Sequence, residues 1–304
     1  MHEHIARAMY YFSVHLLYAS MVGFAAWVLT SVLGASATTK YWIWVVTAFN
    51  FFVPVGAVID KIWALHLTWA APLGAIGDPV WSMTQGRTAV VLAVLWTTGA
   101  LTMAVRLISR LLRERRSAGR HALTSSFAAD GIPVTFDSSH LVPAVGGVLY
   151  PRILLPTGID RLLNGQELNA VLLHEVAHAK RHDNLIRLLY EVLLCVLWFH
   201  PLIWLAGMRM ALYRELSCDE SVIQRAHGQA LIRALAKLAV PEETMFLRAT
   251  ASSHLSHRLA RLSGSAQATH RAASLLLTSL FVAVIAGGVF GTVAHTACCF
   301  VLKH

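Results

Sequence analysis

Residues 174–220, HEVAHAKRHDNLIRLLYEVLLCVLWFHPLIWLAGMRMALYRELSCDE, open on an H-E-x-x-H motif and close on E-L-S-C-D-E. On an α-helix, positions four apart share a face, so His174 and His178 can hold one metal ion between them. Glu175, one position on, lies beside that ion and can act on a water there without being a ligand. Two imidazoles and one carboxylate, with a fourth position left for water, form the ligand set of a catalytic zinc site. Glu215 is the carboxylate whose return can be tested on spacing. Asp183 or Asn184 can cap a helix over 185–199, and His200-Pro201 breaks it, because proline disfavours helix at the residue before it. A return helix from Leu202 reaches Glu215 after a similar number of residues. Both legs are roughly 20 Å long at 1.5 Å per residue. An antiparallel pair that turns near residues 181–184 therefore brings Glu215 back to His178.

Asp219, four residues after Glu215, shares its helix face. It can accept the outer N–H of a ligand histidine, which fixes the tautomer and raises the ligand's basicity. His174 is the expected partner. Asp183 is a second candidate for that outer role, with helix capping as its alternative. Cys218 points about 100° away from Asp219 on a helix and stays outside the zinc sphere. His182 and His200 read as packed or capping residues. Peptide hydrolysis also needs a donor for the tetrahedral oxyanion; Tyr213, Arg214 and His200 are candidates, and the sequence does not choose among them.

Only 13% of the 304 residues are charged, while 56% are hydrophobic. A soluble domain carries about 25% charged residues, so the balance points to an integral membrane protein. The net charge of +9 does not require nucleic acid, because the cations cluster beside apolar runs, where the positive-inside rule accounts for them. Cys195, Cys218, Cys298 and Cys299 show no C-x-x-C spacing and suggest no disulfide framework. Packing is the plain role for the adjacent Cys298 and Cys299, with lipidation as the alternative.

The apolar runs give an expected layout. A first span covers about 9–34, too long for a signal h-region, a second 41–59, with Pro54 as a kink, and a third 89–107. His15 in the first reads as packed or bundle-facing. Arg106, Arg110, Arg113, Arg115, Arg116 and Arg120 follow the third span and mark its cytosolic end, which puts the N-terminus outside. Residues 131–136 and 143–156 read as short strands broken at Gly146-Gly147 and Pro151. Such a sheet can offer an edge to a peptide substrate or be a plain structural hairpin. Asn164 and Glu167 form a capping box that opens the motif helix. Residues 185–210 form a membrane-associated hairpin, with a further span as the other reading, and 222–262 a helical tail. Its basic end, 257–262, is expected on the membrane surface. The fold class is thus a mainly α integral membrane protein: a multi-span helical bundle with an inserted α+β metallopeptidase domain. The expected boundaries are 1–108 for the three-span membrane region, 109–272 for the cytosolic domain, and 273–304 for a final span (273–293) and tail.

L-x-H-E-x-x-H-x-x-R-x-D, W-F-H-P-L-I-W and R-E-L-S-C-D-E resemble the metallopeptidase domain of the BlaR/MecR-type bacterial antibiotic-sensor family. P-R-I-L-L-P at 151–156 is similar to that family's edge-strand segment, and the likeness covers roughly 130–262. The resemblance implies a gluzincin-type site, with one zinc ion on His174, His178 and Glu215 and with Glu175 as general base. It further implies a multi-pass protein of the bacterial plasma membrane whose cytosol-facing protease inactivates a transcriptional repressor, sometimes after cleaving itself. Antibiotic sensors of that family carry a large extracellular penicillin-binding domain after the last span. Here AHTACCFVLKH follows, with no room for an S-x-x-K module. The expectation is a chain without that sensor domain, signalled from the membrane, from residues 60–87 or by a partner. Expected partners are the protein substrate and membrane lipid, with no direct nucleic acid; a homo-oligomer and a separate sensor protein stay open. The competing functions are a non-proteolytic metal-binding transducer and a repressor-binding adaptor using the arginine run.

Overall fold

A computed structural model of the chain describes residues 2–52, 86–118, 122–138, 141–238, 258 and 272–286. Helix α1 (His2–Val32) and helix α2 (Ala37–Asn50) meet at a short link. Ser36 caps α2, its Oγ accepting the Thr39 N–H at 3.1 Å, the ordinary use of serine at a helix start. The expected second span falls on α2 as far as Phe52; Pro54 and the rest of that span lie outside the described residues. Helix α3 (Gly86–Ala118) runs unbroken through the boundary expected at 108, so Arg106, Arg110, Arg113 and Arg115 continue the apolar helix instead of opening a new element. Among the described residues, two helices are long and apolar enough to cross a membrane, over His15–Val32 in α1 and Val90–Arg115 in α3. No residue of the α3 stretch is buried.

Strands β1 (Ala122–Ala129), β2 (Ile132–Asp137), β3 (Ala144–Gly146) and β4 (Arg152–Pro156) form one sheet in the order β1-β2-β4-β3. β2 and β4 run parallel, and the outer pairs are antiparallel. The inner strands supply the apolar face: Val134, Ile153 and Leu155 are buried. β1 was not expected, because ALTSSFAA has one β-branched residue, Thr124, and lacks the alternation of a half-buried strand.

Helix α4 (Ile159–Leu162) leads to α5 (Gly165–Lys180), α6 (Asp183–Val196), α7 (Pro201–Gln224) and α8 (Gly228–Leu238). The capping box at the start of α5 forms: Asn164 Oδ1 accepts from Glu167 N at 2.9 Å and Glu167 Oε2 from Asn164 N at 3.0 Å. α5 ends at Lys180 with Arg181 as its C-cap, and the left-handed backbone of His182 (φ 54) then reverses the chain. Neither Asp183 nor Asn184 caps α6; His182 holds that position without a side-chain bond. Pro201 opens α7 at N1, where its missing N–H costs nothing.

α6 and α7 form a tight antiparallel hairpin. Tyr190 Oη donates to Ile203 O at 3.0 Å, and a Cβ on Gly207 would meet Tyr190 Oη at 2.1 Å, so a side chain there would have to displace the Tyr190 hydroxyl. The hairpin exposes Leu189, Val192, Phe199, Trp204 and Met208. Midway along α6, Glu191 pairs with Arg187 at 3.0 Å and with Arg110 of α3, which offsets the cost of a charge beside apolar surface. Three apolar clusters hold the molecule together. One joins α1 and α2 to the hairpin, a second joins the sheet to α5, α7 and α8, and a third joins α1 and α2 to the short apolar helix α9 (Ala272–Ala286). α7 belongs to the first two, and so ties the helical layer to the sheet.

Candidate metal centre

Helical spacing places His174 and His178 on one face of α5, and the hairpin returns Glu215 on α7 to face them. Their ligand atoms converge: His174 Nε2 and His178 Nε2 lie 3.1 Å apart, and Glu215 Oε2 is 3.6 and 3.7 Å from them. Atoms bound to a tetrahedral zinc at ~2.0–2.1 Å sit roughly 3.3–3.4 Å from one another. The donor set therefore fits one such ion, with a nitrogen, nitrogen and oxygen ligand each.

The outer nitrogens of the two imidazoles each face a carboxylate. His178 Nδ1 lies 2.7 Å from Asp183 Oδ2, because the left-handed turn at His182 folds Asp183 back onto α5. His174 Nδ1 is 3.1 Å from Asp219 Oδ1, with the N–H not aligned on the oxygen. Burial disfavours charge on His174, yet Asp219 and Glu215 outweigh it and lift its pKa to about 9. Burial is likewise outweighed at His178 by Asp183, Cys218 and Glu215, which hold it well above the usual imidazole range. Glu215 stays well below the usual carboxylate range despite burial, because His174, His178 and Arg214 favour its charge.

Cations that the sequence did not single out complete the cluster. Arg258 grips Asp219 through two bonds of 2.8 Å and lies 3.7 Å from Glu215 Oε2. Its side chain is 13% exposed, so this member of the basic segment expected on the membrane surface belongs to the site. Arg181 grips Asp183 through two bonds of 2.6 Å and reaches Ser217 Oγ, Arg214 O and Cys218 Sγ. His178, Asp183 and Cys218 also cluster closely enough to hold an ion, but the Arg181 guanidinium already occupies both Asp183 oxygens and the sulfur, leaving no room for a second cation.

The centre opens into a cleft of about 520 Å³. Glu175 lines it beside His174, and its carboxylate makes no hydrogen bond among the described residues, unlike Glu215, Asp219 and Asp183. Edge strand β3 forms one wall and Leu231 and Leu235 of α8 another. Asn184 ties the edge to the α5–α6 corner, its Nδ2 donating to Val145 O at 2.8 Å and Gly147 O at 2.9 Å. Of the three candidate oxyanion donors, only Arg214 lines the cleft, and it also donates to Glu215 Oε1 at 3.0 Å. Tyr213 turns into the helical core, with Lys40 Nζ 5.7 Å from its ring centroid. His200 sits at the other end of α7, roughly 22 Å along the helix, against Ser20 Oγ at 3.1 Å and the Phe51 ring.

The model of the BlaR1 peptidase M56 family matches residues 12–262. The chain is similar to the methicillin resistance mecR1 protein of Staphylococcus aureus, 31% identical over 102 residues, 34% of this chain and 17% of that protein. It is similar to the regulatory protein BlaR1 of Bacillus licheniformis, 39% identical over 82 residues, 27% of this chain and 14% of that protein. The aligned segments thus span less than a fifth of either relative. With most of its length matched, from α1 through Arg258, the chain belongs to the BlaR1 peptidase M56 family.

Proposed function

We propose that the chain is a membrane-embedded, zinc-dependent endopeptidase of gluzincin type. The observation that carries this reading is the convergence of the His174, His178 and Glu215 ligand atoms beside Glu175, whose carboxylate makes no hydrogen bond among the described residues. A bound zinc ion supplies Lewis acidity, which polarises the scissile carbonyl and acidifies the attacking water. Glu175 takes that water's proton and passes it to the leaving amine. Asp219 and Asp183 keep the imidazoles in the ligand tautomer, and Arg258 and Arg181 fix the two carboxylates in turn. Arg214, which lines the cleft, donates to the developing oxyanion. An extended peptide adds along the outer edge of β3 by main-chain hydrogen bonds, and Leu231 and Leu235 offer its side chains an apolar wall.

In this reading α1, α2, α3 and α9 belong to a multi-pass assembly in the bacterial plasma membrane, with the N-terminus outside. The arginines at the end of α3 keep the peptidase domain, 109–272, on the cytosolic side. The names of two relatives speak of regulation and of methicillin resistance, which supports a signalling protease whose substrate is a transcriptional repressor, the chain itself, or both. The deciding experiment measures zinc content and cleavage in detergent for wild type and Glu175→Gln. Equal zinc with cleavage in the wild type alone supports the assignment. Cleavage in both overturns it, and bound zinc with no cleavage of any repressor or self site favours a non-proteolytic transducer.

A further inference from the structure

The outer support of the metal centre does not stop at the peptidase domain. Asp183, which faces His178 Nδ1 and holds Arg181 on both oxygens, takes a further hydrogen bond from Tyr41 of α2, Oη to Oδ1 at 3.0 Å. Tyr41 is 1% exposed, and its ring carries the Arg181 guanidinium at 4.4 Å, so one side chain touches both halves of the Asp183–Arg181 pair. The contact is not isolated. Thr38 Oγ1 and Ser217 Oγ lie 2.8 Å apart, and the Ala37 N–H donates to both oxygens of Glu220 at 2.9 and 3.0 Å. The first turn of α2 is thus clamped to the stretch of α7 that carries Glu215 and Asp219.

Such placement has a consequence for the histidine. A carboxylate orients the imidazole it faces only as well as it is itself held. Asp183 has Arg181 on both oxygens, but Arg181 is a neighbour two residues away on the same corner and moves with it. Tyr41 is the one hydrogen-bonding partner of Asp183, among the described residues, that comes from outside the peptidase domain. We infer that Tyr41 is a positioning residue for the metal centre: acting through Asp183 on His178, it makes the geometry of the zinc site depend on where α2 stands. A shift of α2 relative to α7 then loosens the His178 ligand, which gives a membrane-side signal a direct route to the site.

This inference rests on the zinc-peptidase reading, and the test separates the two. Zinc affinity by chelator competition, the visible spectrum of the cobalt-substituted protein, and kcat and KM are measured on the full chain in detergent. The variants are Tyr41→Phe, which keeps the ring on Arg181 and removes only the hydroxyl, and Trp44→Phe, a buried neighbour on α2 whose indole N–H makes no hydrogen bond among the described residues. Tyr41→Phe is expected to weaken zinc binding by about 10-fold, the lower end for loss of an outer partner, to alter the cobalt spectrum, and to lower kcat with KM unchanged. Trp44→Phe is expected to change none of these. Wild-type zinc affinity and spectrum in Tyr41→Phe overturn the inference, as does an equal loss in Trp44→Phe, which would assign the effect to general loosening of α2. Failure of wild type to bind one zinc strikes the underlying reading instead.

Discussion

From Arg214 to Asp219, α7 carries a half-buried and a buried carboxylate in a setting where each charge is met. Glu215 faces two imidazoles and two guanidiniums, and Asp219 has Arg258 across both oxygens. In the helical layer around the first turn of the same helix, the polar atoms His200 Nδ1, Trp44 Nε1 and Asn50 Nδ2 are buried with no hydrogen-bond partner among the described residues. Both regions place polar groups away from water, and burial costs each of them. The difference is that the first network is ionic and, apart from His174 Nδ1, which faces Asp219 at 3.1 Å without an aligned N–H, hydrogen-bonded among the described residues, so removing a member leaves another charge stranded, whereas the second has little to lose. Polar networks of this kind fix geometry, and geometry is what a metal site needs.

The sharpest break in that comparison is Arg181→Met. It leaves Asp183 buried beside His178 with Tyr41 as its remaining outside donor, and removal of one member of a buried ion pair costs about 3–5 kcal/mol. Thermal or denaturant unfolding of the metal-free protein in detergent should show a loss of that order. A loss below about 1 kcal/mol would mean that the network orients the site without stabilising it.

Next in size are Asp183→Asn and Asp219→Asn, which keep the volume and remove the charge facing each imidazole. Loss of such partners typically costs 10–100-fold in metal affinity. Zinc titration should show this for both variants, with the larger loss at Asp183, whose contact to its histidine is the shorter, 2.7 Å against 3.1 Å. Equal zinc affinity in both variants and wild type would remove the carboxylates from the centre's design.

The pH dependence sharpens the same point. In the metal-free protein His174 keeps its proton up to about pH 9, against about 6.5 in an unfolded chain. Its charge therefore stabilises the metal-free fold fully below about pH 6.5, and that contribution fades as pH rises through about 9. Zinc requires the neutral imidazole, so its affinity should rise over the same window, by ~10-fold per pH unit for each proton displaced. Calorimetry in two buffers of different ionisation enthalpy counts those protons. No proton release at pH 7 would show that the carboxylates do not hold the histidines charged.

Much of this centre was legible from local pattern. The i, i+4 spacing, the capping box at Asn164 and the proline break at 201 are all written within a few residues of where they act. The return of Glu215 followed from two helix lengths, and Asp219 from its turn of helix. What stayed hidden depends on contacts between distant segments. Arg258 meets Asp219 across 39 residues and Tyr41 meets Asp183 across 142, and no periodicity encodes either. Asp183 was read equally as a cap because its sequence position suits one; the left-handed turn at His182 decides against it. Tyr213 and His200 were plausible donors by chemistry, but the rotation and length of α7 carry them away from the cleft. β1 has too little hydrophobic pattern to be seen, and forms because β2 offers it an edge.

The other side of the comparison supplies the smallest effect. Asn50 ends α2, 7% exposed, with its amide nitrogen unpartnered among the described residues. Leucine has nearly the same shape and no polar atom to bury, and replacing an unsatisfied buried polar group by an apolar one of similar shape is neutral or stabilising. Asn50→Leu should therefore unfold within about 0.5 kcal/mol of wild type, or later, and should leave zinc affinity unchanged. If the variant instead lost as much stability as Arg181→Met, Asn50 would have to be holding something the metal centre's own network does not explain. The helical layer would then count as a second site of polar organisation, not as scaffold for the first.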